Sequence, residues 1–390
     1  MTRKKIILPF LAAIIALSAN AQTDSTKTFI LSGSVDAYSR LDFNNVTLTN
    51  PTTGVPVNAK TSFTQTNNSF ELGMATLRGD GQILSGKVFG TADLGFGPRA
   101  SSFNAANGSA DPTLLAVKQL YLGFYTGKGA KGVKFTIGKW ATHIGYELVD
   151  AYANRNYSMD YMFTTGPFSH TGIKAEYTKG TWGFMLGVAN PTNIVTIPDA
   201  TVYGSATKHL LAQVSDGSKN GKYKVYLNYE GSLGMGQSGS GSLKSQNQID
   251  LVATALLSSK FNIGLNLTDK INSYNSVTGG TTPKSDAWGG AALYLNWDPT
   301  ALFGLTLRSE YFIDGESEPG GTTPTALIYG TRNILDETLS ANFRVGPLTI
   351  IPELRYESAD TKYGDIYVKG KDATGTGSDF SGILAAVYKF

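Results

Sequence analysis

Cysteine is absent from the 390-residue chain, which excludes disulfide bonds, thiol nucleophiles and thiolate metal sites. Charge is scarce as well, because acidic and basic residues together make up only 16% of the sequence. The 33 basic residues include Arg3, Lys4 and Lys5, and without these three they equal the 30 acidic residues. A neutral balance gives no case for nucleic-acid binding. No apolar run after residue 21 reaches the roughly twenty residues of a membrane-spanning helix.

The N-terminal residues follow the order of a secretory signal peptide. The basic residues 3–5 precede an apolar run over residues 6–17, and small residues end the segment at Ala21. The apolar run is too short to span a bilayer, which argues against a membrane anchor. We therefore expect a signal peptide over residues 1–21, cleaved near Ala21. No linker or change in composition divides residues 22–390, so we expect them to form one domain.

Glycine, tyrosine and phenylalanine are abundant, and the apolar residues follow an alternating pattern. The sequence contains 45 Gly, 20 Tyr and 19 Phe, which suits the turns and interfacial aromatic residues of a β-barrel. Successive side chains of a strand point to opposite faces, so strict alternation indicates a strand with one apolar and one polar face. The clearest example has Phe303, Leu305, Leu307, Tyr311 and Ile313 on one face and Thr306, Arg308 and Glu310 on the other.

Segments of this kind recur sixteen times along the chain. Most of them have about ten residues or more, which exceeds the usual strand of a soluble β-sandwich and is enough to cross a bilayer at a tilt. The alternatives, a soluble sandwich or a β-helix, are therefore less favoured. The predicted strands cover residues 28–42, 70–79, 83–96, 114–126, 132–146, 170–179, 181–190, 208–216, 221–232, 246–258, 260–271, 286–298, 301–314, 333–346, 347–358 and 379–390.

The gaps between these segments are alternately short and long. Tight turns such as Gly79-Asp80-Gly81-Gln82 alternate with loops rich in Gly, Ser, Thr, Asn and Pro. In hydrocarbon the unpaired edges of an open sheet would be costly, so the sheet must close on itself. The sequence therefore predicts an all-β fold, a transmembrane up-and-down antiparallel β-barrel of about 16 strands. Short turns would lie on the periplasmic side and long loops on the extracellular side.

The last strand ends in an aromatic residue. Its alternating apolar residues finish at Phe390, the final residue of the chain. This ending is similar to the C-terminal signal that bacterial outer-membrane proteins present to their assembly machinery, although an ordinary last strand would look much the same. We expect outer-membrane lipid and that machinery to be partners of the chain.

Several stretches resemble a known family. They are residues 138–147 (GKWATHIGYE), 154–163 (NRNYSMDYMF), 166–175 (GPFSHTGIKA), 32–38 (SGSVDAY) and 187–191 (GVANP). Together these segments are similar to the putative β-barrel porin-2 family, the OmpL-like porins common in Bacteroidetes-type bacteria. The resemblance implies an outer-membrane porin, and it supplies neither a solute nor any catalytic residue.

A barrel of sixteen to eighteen strands is wide enough to leave an aqueous channel. The third long loop, about residues 147–169, is expected to fold into this channel and to narrow it against charged wall residues, since opposed charges sort solutes by size and charge. The alternative is a loop that lies over the rim with its charges in water. The proposed pore-lining and constriction residues are Glu147, Asp150, Arg155, Asp160, Arg308, Glu310, Arg344, Glu353 and Arg355.

No pattern points to catalysis or to a cofactor, and we expect no enzyme, cofactor or metal site. His143 and His170 flank the third loop and could approach each other, but two histidines are weak evidence for a metal. A G-x-G-x-x-G match at residues 234–239 precedes no helix and fails as a nucleotide site. His209 stands alone in the sequence.

The leading function is a porin for passive diffusion of small hydrophilic solutes or ions. The alternatives are a substrate-specific transporter for sugars or anions, and a non-conducting adhesin or structural barrel. An aromatic row on the inner face would favour sugars, because sugar rings stack on aromatic side chains. A homo-oligomer is compatible with the sequence but not required by it. The residues of this row are Tyr38, Trp140, Tyr226, Trp288 and Tyr294.

Overall fold

The computed structural model describes most of the chain after the predicted leader. The described residues are 27–49, 56–105, 111–197, 208–233, 243–274, 285–315, 333–360, 367–369 and 374–390. The expected signal peptide and the glycine motif at 234–239 lie outside them. No helix within these ranges is long and apolar enough to cross a membrane.

Strands dominate the described residues, and helices are few and short. The helices are α1 (Pro98–Asn104) and α2 (Tyr161–Thr165), with 3-10 turns at Pro112–Ala116 and Ala151–Ala153. The strands are β1 (Thr28–Asp42), β2 (Val46–Thr49), β3 (Pro56–Val57), β4 (Ser69–Ile83), β5 (Val88–Phe96), β6 (Val117–Tyr125), β7 (Lys134–Ala141), β8 (Ser169–Lys179), β9 (Trp182–Ala189), β10 (Lys208–Gly217), β11 (Tyr223–Leu233), β12 (Leu243–Leu256), β13 (Phe261–Tyr274), β14 (Ser285–Thr300), β15 (Phe303–Asp314), β16 (Asn333–Val345), β17 (Leu348–Ala359), β18 (Tyr367–Lys369), β19 (Thr374–Thr376) and β20 (Ser378–Lys389).

The sixteen long strands pair antiparallel with their neighbours in sequence and close into a barrel. This confirms the predicted all-β up-and-down barrel and its strand number. The ring closes between β1 and β20, where Gly33 and Phe390 exchange backbone hydrogen bonds of 3.0 and 2.9 Å. The Phe390 ring occupies the space where a Cβ of residue 33 would stand, so a glycine is required there. Four short strands, β2, β3, β18 and β19, form a small sheet from the first and last long loops.

Two predicted boundaries were wrong. The turn expected at residues 79–82 is part of β4, because the Phe29 ring of β1 packs over Gly79, and the chain reverses instead at residues 84–87. The strand expected over residues 132–146 ends at Ala141, after which the chain leaves the wall and enters the lumen.

Burial in this barrel is the reverse of that in a soluble protein. Large apolar side chains on the outer face are exposed, for example Leu186 at 60% and Ile249 at 57%. Inward side chains such as Asp250 and Thr306 are polar and fully buried. An apolar outer belt over a polar interior is what a bilayer selects in a β-barrel, and it confirms the predicted alternation. Lys118 of β6 also points inward and is buried.

Leu186 provides a test of the outer face. It lies near the middle of β9, and Leu186→Arg would place a guanidinium in hydrocarbon, so we expect the free energy of unfolding to fall by about 2–4 kcal/mol. Gln213→Arg on the adjacent β10 puts the same charge on the inner face and is expected to change stability by less than about 1 kcal/mol. Urea unfolding in lipid vesicles measures both, and equal costs would contradict the orientation.

Candidate functional site: the third long loop inside the barrel

The third long loop crosses the lumen from β7 to the opposite wall. Immediately after β7, the backbone N–H of Gly145 donates to the Asp250 carboxylate of β12 at 3.0 Å. The N–H of Tyr146 donates to the Asn266 side-chain oxygen of β13 at 3.2 Å. These contacts lie at mid-height of their strands, so the loop enters the barrel and does not lie over its rim.

A fully buried arginine of the wall holds the centre of the loop. Nη1 of Arg308 on β15 lies 2.6 Å from Glu147 Oε1 and donates to the Ser158 carbonyl at 2.8 Å. Its Nη2 donates to the Met159 carbonyl at 3.4 Å and to Asp336 of β16 at 3.0 Å. The guanidinium group thus binds the loop backbone, a carboxylate of the loop and a carboxylate of the wall. Its exposure is 0%, so the contact excludes water.

Two wall carboxylates accept hydrogen bonds from the loop backbone. Glu353 of β17 accepts the N–H of Tyr157 at 2.7 Å and that of Ser158 at 3.1 Å. Glu310 of β15 accepts the N–H of Tyr161 at 2.7 Å and that of the next residue at 2.9 Å. Charge-assisted hydrogen bonds of this kind are stronger than neutral ones. Glu310 satisfies N–H groups of the first turn of α2, which have no partner inside the helix, and Glu353 satisfies N–H groups of the loop just before it.

The lowest part of the loop reaches the short-turn rim. Both terminal nitrogens of Arg155 contact the Asp298 carboxylate near the end of β14, at 3.0 and 2.5 Å. Arg344 of β16 lies 2.8 Å from the same carboxylate. Asn342 donates to the Arg155 carbonyl at 3.0 Å. These charged side chains stay between 24% and 29% exposed, so water reaches this end of the loop.

The second long loop, which connects β5 to β6, and β6 itself hold the other side of the third loop. Lys118 of β6 lies 2.5 Å from Asp150 of the loop and 3.3 Å from Asp93 of β5. Arg99 of α1 places its guanidinium 4.6 Å from the centroid of the Tyr157 ring and donates to the Tyr157 carbonyl at 3.4 Å. The loop is therefore fixed from two directions.

The buried contact holds more carboxylates than cations. Burial raises the pKa of Glu147 to about 8, with a smaller contribution from the nearby Asp160. Burial likewise raises the pKa of Asp160, although the Arg308 guanidinium opposes this effect. Asp160 also caps α2 by accepting the N–H of Phe163, and it accepts the Tyr294 hydroxyl at 2.7 Å. The loop is thus held partly by carboxyl groups whose pKa values burial raises.

The structure places four of the nine predicted site residues on the loop and brings four wall residues into contact with it. The ninth, Arg344, is linked to the loop through the Asp298 carboxylate that it shares with Arg155. The loop covers the four wall residues Arg308, Glu310, Glu353 and Arg355, so they meet loop groups and not open water. Glu147 and Asp160 are buried with them. Arg155 and Arg344 meet at the lower, partly exposed end, and Asp150 pairs with Lys118.

The prediction missed charged residues on the wall that the loop leaves uncovered. Glu176 of β8 lies 3.0 Å from Lys134 of β7 and 3.4 Å from Lys174. Arg78 and Asp80 of β4 pair at 2.7 Å. The exposure of these five side chains lies between 16% and 31%. Their inward positions in the alternating pattern of each strand were the signal that could have identified them.

Four of the five aromatic residues proposed as a row fall into separate clusters. Trp288 and Tyr294 of the wall belong to an apolar cluster with Tyr161 of the loop. Tyr38 packs with Tyr157 elsewhere, and Trp140 belongs to a third cluster near β9 and β10. No continuous aromatic surface therefore connects these four side chains.

The three histidines lie near the point where the loop leaves the wall. The rings of His143 and His170 are 5.3 Å apart, as the sequence suggested. His209 lies 2.7 Å from Glu230. Within the described part of the chain, no group of three or more histidine, aspartate or glutamate side chains is placed to hold a metal ion.

Comparisons with known proteins agree with this architecture. A family model described as "Putative beta-barrel porin-2, OmpL-like" matches residues 28–390. No curated protein sequence matches the chain. Solved structures with a similar fold include the outer membrane channel DcaP of Acinetobacter baumannii (TM-score 0.60, 12% identity, covering 94% of this chain and 99% of that one). Others are OmpT of Vibrio cholerae in its trimer form (0.57, 13%, 94% and 100%) and Salmonella typhi OmpF in complex with daunomycin (0.57, 10%, 94% and 98%).

Arg308 is expected to be the strongest single anchor of the loop. Arg308→Met leaves Glu147 and Asp336 without their shared cation, and losing one partner of a buried ion pair costs about 3–5 kcal/mol. The matched change Arg78→Met removes a partly exposed pair, where a cost of about 1 kcal/mol or less is expected. Unfolding in denaturant, together with protease cleavage inside residues 147–169, measures both effects. Similar losses for the two variants would show that the loop does not depend on Arg308.

Attachment of the loop is expected to weaken as the pH rises. Because the pKa of Glu147 is raised from 4.5 to about 8, the folded state binds the proton more tightly than the unfolded state does. The folded state therefore loses stability as the pH rises from 4.5 to about 8. Protease cleavage within residues 147–169 should therefore increase with pH in the native protein. Glu147→Gln, which cannot ionise, should remove much of this dependence, and Asp111→Asn on the exposed second loop should leave it unchanged. Cleavage that falls with rising pH would contradict the assignment.

Proposed function

The chain belongs to the putative beta-barrel porin-2, OmpL-like family and is an outer-membrane porin, and we propose that its channel passes small hydrophilic solutes or ions by diffusion. The family is one of channels. The third long loop is proposed to act as the constriction of this channel, with Arg155 and Glu147 on the loop and Arg344 on the wall among the residues that shape it.

The observation that carries this proposal is the asymmetric position of the loop. It is fixed to β15 and β17 through the buried Arg308 and the two wall glutamates and to β14 through Arg155 and Asp298, and it contacts β12 and β13 on entry. A segment held by so many buried polar contacts has a defined position and therefore defines a fixed opening. Loose loops at a rim could not set a size limit.

The uncovered wall supplies the other side of the opening. Lys134, Lys174 and Glu176 lie on β7 and β8, and they remain partly exposed. A passage with charged groups of both signs on its walls selects polar solutes by size and charge. The buried residues Arg308, Glu310, Glu353 and Arg355 act in this proposal by holding the loop, and the selectivity falls to partly exposed residues.

The alternatives are supported less well. Separation of the aromatic side chains into different clusters removes the continuous stacking surface that a sugar-specific channel would use. Long outer loops alone favour an adhesin or a structural barrel no more than they favour a channel. No observation favours enzymatic activity.

Export and assembly complete the proposal. We propose that residues 1–21 are removed as a signal peptide and that residues 22–390 form one barrel domain. Recognition by the assembly machinery would use Phe390, whose side chain is 56% exposed on the outside of the barrel. Lipid is the partner of the outer apolar face, and a homo-oligomer is compatible with that face.

Deletion of residues 150–162 tests the constriction. It removes the part of the loop that crosses to Arg344 and Glu353, and single-channel conductance in planar bilayers is expected to rise by about twofold or more as the passage widens. Lys219→Gln, at an exposed short turn, serves as the control and should change conductance little. Unchanged conductance of the first variant would eliminate the constriction, and no conductance in the native protein would contradict the porin function.

A further inference from the structure

Two clusters in the lumen have the same composition, namely two cations around one carboxylate. In the first, Arg155 of the loop and Arg344 of β16 both contact Asp298, at 2.5 and 2.8 Å. In the second, Lys134 of β7 and Lys174 of β8 contact Glu176 at 3.0 and 3.4 Å. Each cluster therefore carries one excess positive charge, in contrast to the neutral mature chain. We call them the arginine triad and the lysine triad.

The triads lie on opposite sides of the barrel near the same rim. The strands β14 and β16 are separated from β7 and β8 by about half of the sixteen-strand ring. Asp298 lies two residues before the end of β14, Arg344 one before the end of β16, and Lys134 begins β7. A solute that leaves the constriction at the short-turn side must therefore pass between two positive clusters.

The structure leaves room for a ligand beside the arginine triad. A cavity of about 140 Å³ between the loop and β14 is lined by Arg155, Asn154, Asn156, Tyr146 and Tyr294 among others. This volume would hold about four or five water molecules. Glu147 also borders the cavity, but one of its oxygens contacts Arg308 and the other accepts the Asp160 N–H. Both of its carboxyl oxygens are therefore already engaged by the protein.

Gly304 of β15 makes the arginine triad sterically feasible. A Cβ at this inward position would collide with the Asp298 carboxylate and the Arg344 guanidinium, and it would lie 3.4 Å from Arg155 Nη1. The two guanidinium groups thus converge over a residue without a side chain. They form a compact pair of cations around a single carboxylate.

We propose that the arginine triad is a weak binding site for the carboxylate or phosphate group of small anionic solutes, and that with the lysine triad it makes the pore anion-preferring. Since this rests on the proposed channel function, it specifies the solute class of that channel. Asp298 occupies the place of a solute carboxylate, and it holds the arginines in position while the site is empty.

Moderate affinity is the physical requirement for such a site. Conduction needs binding that is favourable enough for entry and weak enough for release. The guanidinium group of arginine is a planar set of donors that matches the geometry of carboxylate and phosphate. Arg155 and Arg344 can therefore both donate to a solute oxygen while they still contact Asp298. All three side chains are partly exposed, so their ion pairs are weak. A solute carboxylate can therefore replace Asp298 as the partner of the arginines at a small cost in free energy.

The test is the chloride-to-potassium permeability ratio of the full-length protein in planar bilayers under a KCl gradient. We expect a ratio above unity, a decrease of about twofold or more in Arg155→Gln and in Arg344→Gln, and an increase in Asp298→Asn. Lys174→Gln on the opposite wall should also lower the ratio, which keeps the test valid if a variant of the first triad fails to fold. Lys219→Gln, an exposed short-turn lysine outside the lumen, is the matched control and should have no effect.

Acetate and inorganic phosphate serve as probes of the binding site. Addition of either anion should reduce chloride current through the native channel, and the reduction should be smaller in Arg155→Gln. A conducting native channel that prefers potassium, or a ratio unchanged by loss of either arginine, would overturn the inference and leave the porin function standing. A protein without any conductance would instead contradict the function itself.

Discussion

Pairing of every backbone hydrogen-bonding group in a bilayer is the constraint on which this structure depends. Hydrocarbon offers no partner for a free strand edge, so the sheet must close, and closure fixes the partner of each strand. The ring is completed by hydrogen bonds between the chain end at Phe390 and Gly33 of β1. Because sixteen strands enclose a wide lumen, closure also creates an interior that side chains of the wall alone cannot fill.

The third long loop supplies polar partners for the charged side chains that point into the lumen. Inward side chains such as Arg308 and Glu353 are charged, and a charge without water or a partner would be costly. The loop supplies carbonyl groups to the arginine and N–H groups to the glutamate, so that the covered half of the lumen becomes a polar core. Lys118 and Arg99 contact the loop from a second direction and so help to fix its position. A rigid opening results from satisfying buried polar groups.

This arrangement redistributes the charges that a solute would meet. The sequence suggested opposed charges on the loop and the wall, but the acidic loop residues Glu147 and Asp160 are buried in the contact between the two. The loop instead presents Arg155 at its exposed lower end, where it meets Arg344. On the uncovered side, Lys134 and Lys174 share one glutamate. These two partly exposed clusters near the short-turn rim are therefore more positive than the overall composition indicates.

Local patterns in the sequence specify a barrel, a strand number of about sixteen and the direction of most side chains, because a two-residue alternation is imposed by local strand geometry and by lipid on one side of the wall and water on the other. It did not determine the end of β4 or of β7, since glycines such as Gly79 are compatible with both turn and strand until the Phe29 ring covers them. Tertiary structure alone decided that Arg308 contacts Glu147 across 161 residues of sequence and which charges remain in water. Such contacts depend on the path of a loop through space, and no local pattern encodes that path.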